Sequence, residues 1–250
     1  MKVVYHPRFK EVYSADPASK PGRMEAICQE LKNLAWIKWA KPGPADKEDL
    51  LLVHTQDHID HIKGMGLMYE IALLAAGGAI KASEIALQEP AFGLIRPPGH
   101  HASPAGAWGF CFFNNIAISI EKLREGGKIS KALIIDIDLH YGDGTANIFG
   151  SPSGVSYFHL PSGQRSQQLK SLQDYLASKA DYNILAVSAG FDRHEKDWGG
   201  MLTTEDYRTI GQLIKDASDR CKGRRYAVLE GGYNHQVLGR NVLALLEGLE

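Results

Sequence analysis

The stretch ALIIDIDLHYGDG, residues 132–144, decides the fold. It opens on a continuous apolar run, which predicts a strand of a parallel sheet covered by helices on both faces. Three carboxylates, a histidine and two glycines follow where that strand ends. Because ligands of open α/β sheets bind beyond the carboxyl ends of the strands, the same stretch also predicts where the functional site lies.

The rest of the chain alternates short apolar runs with longer helical patterns, which is typical of a parallel sheet flanked by helices. Strands are predicted at Val3–Tyr5, Trp36–Trp39, Gly93–Arg96, Ala132–Asp138, Val155–His159, Ile184–Ser188 and Tyr226–Leu229. Helices are predicted at Pro21–Asn33, Gly66–Leu87, Asn115–Glu125, Gln167–Lys179, Thr204–Lys222 and His235–Leu249. No repeat, charge block or shift in composition divides the chain, so we predict one domain over residues 1–250.

Composition excludes several classes of function. With 28 basic and 29 acidic residues among 250, the net charge of −1 gives no bulk reason to expect nucleic-acid or membrane binding. No apolar run is long enough to span a bilayer, and no signal-peptide pattern opens the chain, so we expect a cytoplasmic protein. The three cysteines are scattered without CxxC spacing, which favours reduced thiols. Nothing in the sequence indicates the oligomeric state.

Four predicted strand ends are unusually polar. They are RPPGHH (residues 96–101), DIDLHYGDG (136–144), SAGFD (188–192) and EGGY (230–233). Carboxylates at the end of a buried strand repel one another unless a cation or hydrogen-bond donors neutralise them. Asp138, His140 and Asp192 therefore form a candidate metal-binding set. Its nitrogen and oxygen donors suit Zn²⁺, and Fe²⁺ or Co²⁺ less specifically.

The remaining polar residues predict hydrolysis of an amide. His100 and His101, with Asp136 and Asp143 to orient them, resemble paired acid/base groups acting on a water. Tyr233, between glycines and an asparagine, offers a hydroxyl to a developing oxyanion. The plainer interpretation is a solvated loop of turn-forming Asp and Gly residues, with Tyr233 only packing. Histidines and a carboxylate at the other strand ends disfavour it.

Five segments, in order, are similar to the signature motifs of the zinc-dependent histone deacetylase family. They are RPPGHHA (96–102), WGFCFFNN (108–115), DIDLHYGDGT (136–145), SAGFDRH (188–194) and EGGYN (230–234). That family also includes acetylpolyamine amidohydrolases and bacterial deacetylase-like amidohydrolases. The resemblance implies a single-domain, three-layer α/β/α fold of the arginase/deacetylase type, with a mostly parallel sheet. It also implies a tunnel that admits an acetylated lysine side chain or a similar acetylated amine.

The resemblance also implies a role for each matched residue. Zinc would be bound by Asp138, His140 and Asp192. His101 would be the general base and His100 an electrostatic or acidic group, backed by Asp143 and Asp136 respectively. Tyr233 would hydrogen-bond the acetyl carbonyl. The tunnel would be lined by Gly109, Phe110, Gly231 and Gly232. A structural monovalent cation, held by carbonyls near residues 136–140, is a further implied ligand.

The chain also departs from the family pattern. Family members commonly carry a longer stretch between the zinc-histidine strand and the last zinc carboxylate, where this chain has only residues 149–182. We therefore expect a wider or partly open tunnel without an aromatic residue opposite Phe110. Tyr141 stands where a second histidine is common, and Phe158 falls near the monovalent-cation site. Three functions stay open: a deacetylase acting on acetyl-lysine, a deacetylase of small molecules such as acetylpolyamines, and a catalytically silent acetyl-lysine-binding module.

Overall fold

Seven parallel strands form one sheet in the computed structural model, which describes residues 1–150 and 153–250. They are β1 (Lys2–Val4), β2 (Lys38–Ala40), β3 (Ala91–Gly93), β4 (Ala132–Asp136), β5 (Val155–His159), β6 (Ile184–Ala189) and β7 (Arg225–Leu229). The strand order is β2-β1-β3-β7-β6-β4-β5. The predicted parallel sheet is therefore confirmed, and each predicted strand overlaps an observed one.

Nine α-helices are present in the described part of the chain. They are α1 (Arg23–Leu31), α2 (Lys47–Leu51), α3 (Gln56–Lys63), α4 (Leu67–Ile85), α5 (Asn115–Glu125), α6 (Asp143–Phe149), α7 (Arg165–Ser178), α8 (Thr204–Ser218) and α9 (His235–Leu249). The strand and helix patterns predicted six of them; α2, α3 and α6 span two turns or so, too short to show a clear apolar period. Across the described residues, no helix is both long and apolar enough to cross a membrane.

The helices cover the sheet as two groups. One group packs α4 against α5 and against β1, β3 and β7. The other packs α8 against α9, β6 and β7, with α1 on α9 and α7 on α8. The chain therefore has the expected α/β fold, with its parallel sheet between helical layers.

The core lies along β4, β6 and β7, where every residue is buried. Continuous burial explains why these strands carry no polar alternation, because helices remove both faces from water. Since all strands are parallel, the segments that follow β3, β4, β6 and β7 emerge at one edge of the sheet. The four polar strand ends therefore meet there.

Candidate metal centre and active site

Asp138, His140 and Asp192 converge on one point beyond β4 and β6. Their ligand atoms all lie within 4.8 Å of one another. The His140 Nδ1 atom is 3.2 Å from Asp138 Oδ1 and 3.0 Å from Asp192 Oδ2. Both carboxylates are buried, whereas the His140 side chain is 38% exposed. The set therefore sits at the bottom of a depression that stays open on the histidine side.

A turn, rather than a continued strand, brings these side chains together. Strand β4 ends at Asp136, two residues earlier than predicted, so Asp138 and His140 lie beyond the strand. The Asp138 amide instead donates to Asp136 Oδ1 (3.0 Å), and the His140 amide donates to Asp138 Oδ1 (2.9 Å). Aspartate side chains accept such local backbone bonds readily, and these bonds turn the chain out of the sheet.

The donors present fit a divalent ion. Asp192 Oδ2 is buried and, although His140 Nδ1 lies 3.0 Å away, accepts no well-formed hydrogen bond from the described residues, which is costly unless a cation faces it. Burial and the neighbouring Asp138 raise the pKa of Asp192 to about 7. The Gly231 amide donates to Asp138 Oδ2 (2.8 Å), and a Cβ at Gly231 would lie only 2.5 Å from that oxygen. The loop after β7 therefore closes on the carboxylates only because glycine occupies this position.

His100 and Asp136 form an inner pair, defined by the 3.0 Å contact between His100 Nδ1 and Asp136 Oδ2. Asp136 is fully buried, and Tyr157 Oη donates to the same oxygen (2.9 Å). Although burial alone would lower it, the charges of Asp136 and Asp138 raise the pKa of His100 well above its usual value. The inner histidine therefore favours the protonated form.

His101 and Asp143 form an outer pair, in which Nδ1 lies 2.6 Å from Asp143 Oδ1. Asp143 is 38% exposed, and the Trp108 indole donates to its other oxygen (2.9 Å). Burial and the neighbouring His100 lower the pKa of His101. The ring centroids of the two adjacent histidines are 4.1 Å apart. Their pKa values are nevertheless shifted in opposite directions.

A cavity of about 130 Å³ leads to these groups. Its lining includes Pro98, His100, His101, Trp108, Gly109, Phe110, His140, Trp198, Gly231 and Tyr233. Gly109 has a φ of +61°, and a Cβ there would lie 2.5 Å from His101 Cδ2, so only glycine fits against that imidazole. Gly232 faces the core instead: its carbonyl accepts from Arg23 Nε (2.8 Å), and it packs against Leu238 and Phe191.

Two exposed tryptophans, Trp108 and Trp198, lie at the cavity mouth, and the sequence motifs predicted no role for either. Trp198 is 52% exposed, stacks on the Tyr233 ring at 4.1 Å and lines the same cavity as Phe110. Trp108 is 56% exposed and packs against His101 with the two rings tilted and 4.0 Å apart. No sequence signal places Trp198 here, because its loop reaches the cavity only through the tertiary fold. A groove of about 480 Å³ adjoins the cavity at Trp198 and Tyr233, leaving this side open.

Buried polar groups behind the cavity hold its walls. Glu230 Oε2 accepts from the amides of Gly99 (2.7 Å) and His100 (3.2 Å), which fixes the inner histidine. His54 and His58 are buried and lie within hydrogen-bond distance of the carbonyls of Ser103 and Phe112, respectively. They are buried because the loop between β3 and α5 folds over them. Their role is therefore to support the loop carrying His101 and Phe110.

Two carbonyls of the candidate metal-binding turn, residues 136–140, already accept hydrogen bonds and so fit a monovalent cation poorly. The Asp136 carbonyl accepts from the Leu160 amide (2.9 Å). The Asp138 carbonyl accepts from the Arg193 guanidinium (2.8 Å). The implied cation would therefore have to displace hydrogen bonds that the chain supplies itself.

Comparison with known proteins agrees with this geometry. The chain matches the histone deacetylase domain family over residues 17–164 and 163–249. A probable deacetylase of Methanothermobacter thermautotrophicus is 29% identical, covering 100% of this chain and 91% of the relative. A histone deacetylase-like amidohydrolase of Pseudomonas aeruginosa is 30% identical, covering 91% and 74% respectively.

Among solved structures, the HD domain of HDA15 superposes with a TM-score of 0.86 at 24% identity. The superposition covers 99% of this chain and 88% of that domain, which supports the fold. Family match, sequence relatives and architecture agree along almost the whole chain. The chain therefore belongs to the histone deacetylase family, a family of deacetylases and related amidohydrolases.

Proposed function

We propose that residues 1–250 form one zinc-dependent catalytic unit that hydrolyses an N-acetylated amine to acetate and the free amine. The observation that carries this proposal is the convergence, around one cavity, of a metal-binding set, two carboxylate-backed histidines and a tyrosine hydroxyl. Each group alone has a structural explanation. Their common position at the carboxyl edge of the sheet is what a hydrolytic site requires.

Asp138, His140 and Asp192 would hold the metal ion. Zn²⁺, when bound, lowers the pKa of a water toward ~7 and polarises a carbonyl oxygen. Two carboxylates and one imidazole would supply three protein ligands and leave the ion open to a water or a substrate. Fe²⁺ or Co²⁺ would suit the same donors, because no thiolate selects among these ions.

The two histidines divide the proton chemistry. His101 stays neutral at physiological pH because its pKa is lowered, so its free ring nitrogen accepts a proton from the attacking water. His100 stays protonated between Asp136 and Asp138, so it contributes positive charge next to the reacting atoms. Neighbouring groups whose pKa values are pushed in opposite directions are typical of acid and base partners.

Tyr233 would donate its hydroxyl hydrogen to the acetyl oxygen as negative charge develops there. Burial raises the pKa of Tyr233, so the phenol keeps its proton. Its backbone is fixed because Asp197 Oδ2 accepts from the amides of Tyr233 and Asn234, both at 2.8 Å. A fixed donor of this kind is worth ~3–4 kcal/mol in other enzymes.

The cavity mouth favours an amine substrate that carries a further positive charge. The exposed faces of Trp108 and Trp198 attract ammonium groups by cation–π interaction. Acetylpolyamines carry such charges, as do acetyl-lysines flanked by basic residues. The open groove beside Trp198 gives room for either, so deacetylation of small molecules is the second candidate function.

Metal content and acetate release from a panel of acetylated peptides and acetylpolyamines test the proposal together. We expect one Zn²⁺ per chain and acetate release from at least one substrate class. Tyr233→Phe should lower kcat by at least ~100-fold without loss of metal, because it removes only the hydrogen-bond donor. Stoichiometric ligand binding without turnover by metal-loaded protein would instead establish a silent binding module.

A further inference from the structure

Arg193 is a buried arginine next to the proposed ligand Asp192, and the mechanism above does not use it. Its side chain is fully buried, although an isolated guanidinium in that position would be strongly disfavoured. No carboxylate of residues 1–150 or 153–250 forms a salt bridge with it. Its charge must therefore be satisfied by other groups.

Oxygen atoms that line the underside of the metal-binding turn satisfy this charge. Arg193 Nε donates to the Asp138 carbonyl (2.8 Å), and Nη1 donates to the Pro161 carbonyl and to Gln168 Oε1, both at 3.2 Å. The Nη2 atom donates to the Leu160 carbonyl and lies 3.2 Å from His159 Nε2. Three carbonyls and an amide oxygen around one positive charge are the environment that a bound alkali-metal ion also requires.

Both oxygens of the neighbouring Asp136 carboxylate already face hydrogen-bond donors of the chain. Asp136 Oδ1 accepts from the Asp138 amide, and Asp136 Oδ2 faces both His100 Nδ1 and Tyr157 Oη. Tyr157 Oη in turn accepts from the Gly142 amide (3.0 Å), which closes the far side of the turn. A second cation would also meet repulsion from the guanidinium.

We propose that Arg193 is the built-in cation of the metal-binding turn, and that the chain positions Asp138 without a monovalent metal ion. The guanidinium fixes the Asp138 carbonyl and offsets the charge of the carboxylates at residues 136, 138 and 192. Arg193 is thus a positioning residue for the metal centre. The inference rests on the proposed function only in taking Asp138 and Asp192 as metal ligands.

Zinc affinity and thermal unfolding, measured in choline chloride, NaCl and KCl at equal ionic strength, test this role. For the wild type we expect both quantities to be the same in all three salts. Arg193→Gln should weaken Zn²⁺ binding at least ~10-fold in choline chloride, as expected when a group supporting a ligand is removed. KCl should restore part of that loss, because K⁺ can enter the vacated ring of carbonyls. Arg193→Lys should lose less Zn²⁺ affinity than Arg193→Gln, since lysine keeps the positive charge although it lacks the planar guanidinium.

Arg225→Gln is the matched control. Arg225 is also buried and donates to backbone carbonyls, those of Gly223, Leu249 and Glu250, away from the metal-binding set. This variant should lower the unfolding temperature and leave zinc affinity unchanged.

Three results would overturn the role of Arg193. The first is a wild type that binds zinc more tightly, or unfolds at a higher temperature, in KCl than in choline chloride. The second is equal zinc affinity in Arg193→Gln and Arg225→Gln. The third is a loss in Arg193→Gln that KCl leaves untouched. The wild-type salt series decides the question even where a variant does not fold. A wild type that bound no zinc would end the proposed function, while its unfolding in the three salts would still test Arg193.

Discussion

The inner pair, His100 with Asp136, and the outer pair, His101 with Asp143, are built from the same two residue types. Asp136 is fully buried and faces three hydrogen-bond donors, whereas Asp143 is 38% exposed and also bonds the rim residue Trp108. The pKa of His100 is raised and that of His101 is lowered. The pKa values of these adjacent histidines are therefore shifted in opposite directions, because burial and the number of nearby carboxylates differ between them.

The roles proposed for the two histidines rest on this difference. A histidine between two buried carboxylates would hold its proton and act as a fixed positive charge. A histidine beside one half-exposed carboxylate, and beside that fixed charge, would stay neutral and accept a proton. The inner pair is therefore set by electrostatics within the core, and the outer pair by contacts at the rim.

The largest expected effect comes from removing the outer imidazole. His101→Ala should lower kcat by at least ~100-fold, because it deletes the group that accepts the proton of the attacking water. Acetate release gives the rate, and circular dichroism checks that the fold persists. The exposed His61→Ala variant is the control and should retain full activity. Near-normal turnover in His101→Ala would remove the outer pair from the mechanism.

Stability should distinguish the two carboxylates. Asp136→Asn should lower the free energy of unfolding by about 2 kcal/mol, because the amide leaves buried donors without an acceptor. Asp143→Asn should cost less than about 1 kcal/mol, since its carboxylate is partly solvated. Urea unfolding of the two variants measures both values. Equal losses would show that the inner pair is not held more tightly than the outer one.

A smaller, more specific effect concerns pH. Activity should fall on the acid side as His101 becomes protonated, below its ordinary pKa of 6.5. The hydrogen bond and charge of Asp143 favour protonation of His101, so Asp143→Asn should lower that pKa further. The acid limb of kcat/KM should then move to lower pH. A limb that stays in place, or moves to higher pH, would contradict the assignment of His101 as the base.

The strand pattern and the polar strand ends were predictable because each rests on local chemistry. Continuous apolar runs require burial on both faces, so β4, β6 and β7 could be placed from residue types alone. Parallel topology then places their carboxyl ends at one edge, which brings Asp138, His140 and Asp192 into one region. The end of β4 at Asp136 was not predictable, because it depends on hydrogen bonds that aspartate side chains make with the backbone.

Contacts between distant loops could not be predicted from the sequence either. Trp198 reaches Tyr233, and Arg193 reaches the carbonyls of Asp138 and Leu160, only because the loop after β6 folds across the end of β4. The sequence around Trp198 and Arg193 does not predict these contacts. An exposed tryptophan or a surface arginine with no such contact could have the same sequence neighbours.

Residue order by itself determined the α/β architecture and the identity of the polar groups at the sheet edge, because hydrophobic periodicity and chain direction act locally. Tertiary structure decided which histidine has its pKa raised, which guanidinium contacts the Asp138 carbonyl, and which rings line the cavity. Those properties depend on burial and on distances between segments far apart in the chain, and neither quantity is fixed until the loops have packed.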